Sequence, residues 1–475
     1  MIEIHRLPHL IYICFFYIFI TYVFFIRGNF FATDIPFSSI INNSTIIIPF
    51  STVILILYYI INTSQYWFSN PQNHYNRKFN VLKPPKSYFL LFLSILLSFF
   101  INFFITGKHE QESLIRFLLE IILNFLVIYI GYYSVRQITS IEKIFTTIQI
   151  SSLISIWAVW SITSKVEKVR RIGVNPDTET GLSVAVAQLG HALAIVAIIS
   201  TFRILIYWFM RSKQNHNHNK ILLILNIVMV FLSAIGMFLT GSKGSLVGFL
   251  TYPMLLIVLN ISRKKIWQYL LFYSGLTIFT LLVLIPFLDF NIIEGKYGSL
   301  LRRYTLEGFT NGIESRLDVF QATFDSIGNM NYLIFGKMWG YQPISNDLSN
   351  HIIYPHNIFL SILLHLGILP LISFAFIIFR IIYEFFLNQY KLNKLKNNKN
   401  LTAKDQLITY NWLVYVTIFA IFLVAFIHVL KGGRLTRVIT IFFILGLLEG
   451  YNDNLKNYFK KVKQYKNKIR YIKTK

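Results

Sequence analysis

The chain is short of cysteine, of acids and of charge altogether. Its 475 residues hold one cysteine, Cys14, which excludes an internal disulfide or a cysteine-ligated metal cluster. Asp and Glu number 20 against 45 Lys and Arg, and charged residues make up 14% of the whole. A soluble chain carries about a quarter charged residues. There is no phosphate-cradling glycine loop, no dinucleotide-binding glycine pattern and no nucleophile elbow, so nothing points to a nucleotide cofactor or to serine-hydrolase chemistry. No Asp-x-Asp pair falls on a loop that reads as external, and no His/Asp/Glu spacing suits a metal. No repeat of about 20 to 50 residues is visible.

Apolar residues fill the space instead: 55% hydrophobic and 17% aromatic, with mean hydropathy +0.55. They come in blocks of roughly 17 to 23, the length a helix needs to cross a bilayer. The expected fold class is an all-α polytopic membrane protein. Twelve apolar segments can be drawn, at 10–26, 46–62, 88–106, 117–134, 144–160, 182–202, 221–239, 245–261, 267–287, 357–379, 408–429 and 435–450. The fifth and the last are the weakest. The first follows His5 and Arg6 like a signal peptide, but no small-residue cleavage site follows it, so it reads as a retained helix.

The net charge of +25 raises the question of nucleic acid, and its distribution argues against it. Nine Lys/Arg lie after Tyr451 against the single acid Asp453, a tail suited to the anionic cytoplasmic leaflet. Arg77, Lys78, Lys83, Lys86, Arg136, Lys143, Arg211, Lys213, Lys220, Arg263, Lys264 and Lys265 all fall on alternate loops, together with the lysine-rich 391–404 linker. If all twelve segments span, the positive-inside rule puts both termini in the cytoplasm. The expected division is 1–287 for helices 1–9, 288–356 for an external catalytic loop, 357–450 for helices 10–12 and 451–475 for a basic cytoplasmic tail.

The external loop carries seven acids and five bases (Lys296, Arg302, Arg303, Arg316 and Lys337) and is rich in Tyr, Phe, Leu and Ile, so it reads as folded. Within it, Ile313, Leu317, Phe320, Phe324 and Ile327 form one stripe of an amphipathic helix. Arg316 flanks that stripe, aimed towards whatever the helix covers; the plain alternative is an arginine snorkelling at a rim. Arg302 and Arg303 are adjacent guanidinium forks of the kind that clamp phosphate. Lys431, Arg434 and Arg437 crowd the outer end of the last helix with no acid nearby, against the positive-inside trend. Lys243, in "LTGSKGSL", opens a helix whose N-terminus favours an anion.

"YPHNIFLSILLHLGILP" (354–370) starts another helix at the outer face. Pro355 suits a first turn, and either His356 or Asn357 could cap it. A helix N-terminus favours neutral imidazole, the form that can take a proton from a hydroxyl. His365 falls half a turn round and about 13 Å deeper, inside the bundle. His191 is a buried ionisable group in the sixth segment. The "QNHNHN" run (214–219) reads as a solvated cytoplasmic linker.

Three pieces, "LTGSKGSLVGFL" (239–250), "ESRLDVFQATFDSI" (314–327) and "PHNIFLSILLHLGILPLI" (355–372) after "FGKMWGY" (335–341), resemble the O-antigen ligase and polysaccharide polymerase family of bacterial envelope enzymes. The resemblance covers about 80 residues, and the twelve-helix layout with its long outer loop is similar too. It implies a glycosyltransferase acting on undecaprenyl-pyrophosphate-linked glycans at the outer face of the cytoplasmic membrane. It also implies that His356 is catalytic and that Arg316 contacts diphosphate. At Lys243 the family normally has arginine, and lysine offers only a point charge there.

A hydroxyl of the acceptor sugar would attack C1 of the donor sugar, with His356 as base and Arg302, Arg303 and Arg316 meeting the departing diphosphate. Lys243, Asn357, Arg434 and Arg437 complete the candidate binding residues, and no cofactor or metal is expected. Among family activities the polymerase is favoured; the ligase shares every motif. Membrane lipids, a flippase and a chain-length regulator are the expected partners. A flippase or other transporter would want charges along its helices, whereas here charge gathers in outer loops. A metal-dependent transferase would rest on Asp34, which has no partner acid.

Overall fold

A computed structural model describes residues 7–25, 44–69, 86–106, 111–135, 141–165, 186–209, 216–240, 242–259, 275, 306–328, 330–337, 357–396, 405–432 and 439–474. Every element among the described residues is a helix. The first half contains α1 (Leu7–Phe24), α2 (Ser44–Ser69), α3 (Lys86–Thr106), α4 (Gln111–Tyr133), α5 (Ile141–Lys165), α6 (Val186–Phe209), α7 (His216–Leu239) and α8 (Lys243–Val258). The second contains α9 (Leu306–Ile327), α10 (Met330–Phe335), α11 (Ile358–Leu366), α12 (Ile368–Lys396), α13 (Asp405–Gly432) and α14 (Ile439–Thr474). The ninth expected segment, apart from Gly275, and most of the 288–356 loop lie outside the described residues.

α3, α6, α7, α12 and α13 each hold a stretch long and apolar enough to cross a bilayer, and α1, α2, α4 and α8 hold shorter apolar stretches. This is the build of an α-helical polytopic membrane protein. α6 is central, with 89% of its apolar window buried, while α7 and α12 bury only 33% of theirs. The outward faces of the peripheral helices carry side chains such as Phe104 and Phe379, exposed by 81% and 69%. Lipid is as apolar as these residues, so such faces suit a bilayer.

Three expectations need correction. The segment drawn unbroken over 357–379 is two helices, parted at Gly367. Gly367 has φ +83°, and a Cβ there would lie 2.1 Å from the Ile334 carbonyl oxygen. Gly336 answers it from the facing segment: φ +77°, with its Cβ position 2.3 Å from the His365 carbonyl carbon. The Lys337 amide donates to the Leu364 carbonyl at 2.7 Å, satisfying one of the acceptors a helix end leaves open. Asn102 of α3 donates to the Phe335 and Gly336 carbonyls at 3.2 and 2.9 Å. The break is thus built by residues 334–337, and α12 starts afresh with Pro370 in its first turn, where proline is tolerated.

Gly367→Ala should therefore lower the melting temperature of the purified protein, since a side chain in that backbone region costs about 1–3 kcal/mol before any clash. Gly275→Ala is the control, because a Cβ there meets nothing within 4 Å. Equal melting of both variants would mean that the break tolerates a side chain.

The second correction concerns α9. Among its residues from 317 on, Val319, Thr323 and Ile327 are buried, whereas Leu317 and Phe324 of the apolar stripe, which shares Ile327, are 58% and 56% exposed. At 100° per residue the packed line is rotated about 80° from the stripe. An apolar stripe tells which residues avoid water and not which neighbour they meet; the packed face is set by what α9 rests on, Leu363 and Leu364 of α11.

The third concerns charge within helices. Arg380 of α12 pairs with Glu449 of α14 and lies 3.9 Å from Glu384, and Lys456 reaches Glu384 at 3.5 Å. Asn452 donates to Glu384 at 2.9 Å, and Tyr132 donates to Asp453 at 2.6 Å. Arg203 of α6 donates to the Glu142 carbonyl at 3.2 Å, and Tyr410 donates to the Glu142 carboxylate at 2.9 Å. α12 and α14 continue past the segment ends drawn at 379 and 450, and α5 and α6 past those drawn at 144 and 202, which brings all of these charges but Glu449, already within its segment, into the helices.

Candidate functional site

Two of the sequence pieces that carry the resemblance begin helices, α8 and α11, so the first question is whether those beginnings meet. Gly190, in the first turns of α6, abuts the turn before α8: a Cβ there would lie 2.8 Å from Thr240 Oγ1 and 2.9 Å from Ser245 Oγ. The next residue, His191, is buried, and its ring centroid is 4.7 Å from that of His428 near the end of α13. Two residues before His428, Phe426 meets Phe359 of α11 edge-on, with centroids 6.0 Å apart. Tyr252 of α8 and Thr417 of α13 share a hydrogen bond of 3.0 Å deeper in. The beginnings of α6, α8 and α11 and the end of α13 therefore gather at one end of the bundle. Arg203, in the polar network described above, is twelve residues further along α6 than His191, about 18 Å away.

Two of these beginnings are dressed differently. Asn357 is the N-cap of α11, its side-chain oxygen accepting from the Phe359 and Leu360 amides at 2.9 and 3.3 Å. Of the two cap candidates, the structure chooses the asparagine. Ser242 is the N-cap of α8 but makes no side-chain cap hydrogen bond. Ser245 instead turns its hydroxyl back onto the Ser242 carbonyl at 2.6 Å. The Ser245 amide donates to the same carbonyl at 3.0 Å, and the positive end of the helix dipole favours an anion beside this turn. Lys243, the first residue of α8, is half-buried there.

α9 covers α11 from outside. Ile327 packs with Leu363 and Leu364, and Tyr332, Leu333 and Leu371 complete the cluster. Position 316 lies seven residues before Thr323 and eleven before Ile327, so the helical register sets it on the packed line. His365 is buried, with Ser361 Oγ 3.3 Å from its Nδ1.

Of the sequence-derived candidates, the structure brings Lys243 and Asn357 to the same end and places the helix that bears Arg316. Arg302, Arg303, His356, Arg434, Arg437 and Asp34 lie outside the described residues. Sequence reasoning missed His428 and Asn102. His428 had a signal, a second histidine in an apolar segment whose end shares a side with His191; Asn102 had none.

Residues 228–375, from within α7 to within α12, match the protein family described as O-antigen ligase. The matched span includes Lys243, Arg302, Arg303, Arg316, His356 and Asn357, and it leaves out Arg434 and Arg437. No curated protein matches the chain.

Proposed function

We propose, with the likeness of residues 228–375 to the O-antigen ligase family as premise, that the protein joins undecaprenyl-pyrophosphate-linked oligosaccharide repeat units into a surface polysaccharide. The observation that carries this reading is the gathering of the α6, α8 and α11 beginnings with the end of α13, which offers positive helix ends to an anionic leaving group. In this reading twelve segments span the bacterial cytoplasmic membrane, both termini are cytoplasmic, and the gathered ends face outward beneath the 288–356 loop.

The acceptor sugar hydroxyl attacks C1 of the donor sugar. The C1–oxygen bond to the diphosphate breaks, the new glycosidic bond forms, and the hydroxyl proton passes to His356. Undecaprenyl diphosphate leaves with the negative charge, met by Arg302, Arg303 and Arg316 and by Lys243 at the head of α8. Attack from the face opposite the leaving group inverts the anomeric centre. Arg434 and Arg437 draw in the lipid-linked substrate by charge, and Asn357 holds α11 in place beside the base. The donor bond supplies the energy, so neither nucleotide nor metal is required.

Purified protein given only lipid-linked repeat units should release undecaprenyl diphosphate and lengthen the glycan on its lipid carrier. Product that appears only when a lipid-core acceptor is added would make the protein a ligase. A reporter fused at Ser345 should read external, with fusions after Asn76, Asn215 and Asn398 cytoplasmic; a cytoplasmic Ser345 would overturn the reading, since the lipid-linked units are presented outside.

A further inference from the structure

The last helix does not stop where its apolar segment does. α14 runs from Ile439 to Thr474 as one helix, and its final glycine is Gly450, with no proline anywhere in it. Up to Phe459 it is held by its neighbours. Tyr451 donates to the Asn411 side chain at 3.0 Å, Leu455 is buried, Lys456 pairs with Glu384, and the ammonium of Lys391 from α12 sits 5.8 Å from the Phe459 ring centroid. α12 ends at Lys396, and α14 goes on for fifteen residues past Phe459, about 22 Å.

The sequence of that extension has a period. Tyr451, Leu455, Tyr458, Val462, Tyr465, Ile469 and Ile472 are spaced 4, 3, 4, 3, 4 and 3. That is a heptad seam kept for three repeats, with Leu455, Val462 and Ile469 at one core position and Tyr451, Tyr458, Tyr465 and Ile472 at the other. The first three members pack in the bundle, Tyr458 partly. Val462, half-buried, is level with the last turn of α12, and positions 465, 469 and 472 continue the same line past its end. The positions that flank the seam from Phe459 on are Phe459, Lys461, Lys466, Lys468 and Lys473, four lysines in five. The seven outward positions in the same stretch hold only three bases, Lys460, Lys463 and Arg470.

We propose that residues 458–473 of α14 are a docking helix for an acidic helix of another protein, one that presents an apolar heptad face flanked by Asp and Glu. A second copy of this chain would set lysine against lysine at every flank. A bilayer surface would also accept lysines beside an apolar face. But α14 has neither glycine nor proline after Gly450, and its hold on α4, α12 and α13 fixes its direction as it leaves the bundle, so it cannot turn to lie on the membrane. The location of this surface in the cytoplasm rests on the topology proposed above.

A photoreactive residue placed in the full-length protein, in its own cells, tests the proposal. Adducts with one protein should form from Val462, Tyr465 and Ile469 and not from Asn467 or Lys460. The captured peptide should carry apolar heptads with acidic flanks. Changing Lys466, Lys468 and Lys473 together to Glu should cut adduct formation by about tenfold or more, as like charges then meet. Adducts to lipid, adducts only between copies of the chain, capture of a peptide without acidic flanks, or equal labelling from both faces would each overturn it. A cysteine replacing Thr474 in a Cys14→Ser background should react only with reagent that reaches the cytoplasm. Labelling from outside would sink the topology alone and leave the docking face to the crosslinks.

Discussion

Purified protein carrying Arg316→Ala should form polymer about 10²–10³-fold more slowly than the parent, the loss typical of removing one preorganised donor to a developing anion. The reason lies in the register of α9. Its packed line, through Val319, Thr323 and Ile327, passes through position 316 rather than leaving it on the flank of the apolar stripe. A charged residue that the register sets on that line needs an anionic partner or a way out to water, and in the proposed mechanism the departing diphosphate is that partner. Arg316→Lys should recover only part of the rate, because an ammonium keeps the charge and loses the two-pronged contact. Membrane insertion and melting temperature of both variants should match the parent. Unchanged polymer synthesis in Arg316→Ala would return the residue to a snorkelling role.

The apolar helices were legible because a bilayer demands about 20 apolar residues in a row, and α3, α7, α12 and α13 answer that demand in plain sequence. The parting of α11 from α12 was not. "LLHLGILPLI" stays apolar through Gly367, since both helices stand in apolar surroundings, so hydropathy sees one segment. A local signal existed in Gly367 followed by Pro370, a glycine stop with proline soon after. What decides the break, however, is Gly336, 31 residues earlier, and Asn102 on α3, and neither advertises its target. The inward face of α9 was misjudged because the apolar stripe and the packed line share Ile327 and part from there: Leu317 and Phe324 stay exposed while Val319 and Thr323 are buried. Arg380 and Glu384 were left outside the bundle because their drawn segment stopped at 379, where hydropathy falls but the helix does not end, and their partner Glu449 stood at the very end of its own segment. At the candidate site, Lys243 and Asn357 were proposed from motif chemistry. That their helices begin at the end of the bundle where His191 and His428 stand together needed the helices to be assembled.

His356→Ala should leave almost no polymer, a fall of about 10²–10⁴-fold in rate, as expected when a general base is removed. The local structure makes this a clean experiment. Asn357, not its neighbour, accepts the Phe359 and Leu360 amides, so taking away the imidazole does not take away the cap of α11. Loss of the cap is a separate variant: Asn357→Ala should cost about 1 kcal/mol of stability and show as a lower melting temperature. His356→Ala should melt like the parent and fail only in turnover, and it should still bind lipid-linked substrate, because in the proposed mechanism the base acts on the acceptor hydroxyl and not on the diphosphate. His365→Gln is the control from the same helix. That side chain is buried beside Ser361, some nine residues deeper, and substantial activity is expected. EDTA should leave the parent's rate unchanged. A rate lost in EDTA and restored by Mg²⁺ or Mn²⁺ would move the chemistry to a metal and bring Asp34 forward. Normal polymer from His356→Ala would remove the base from the mechanism and leave the gathered helix ends as an anion site in search of its catalyst.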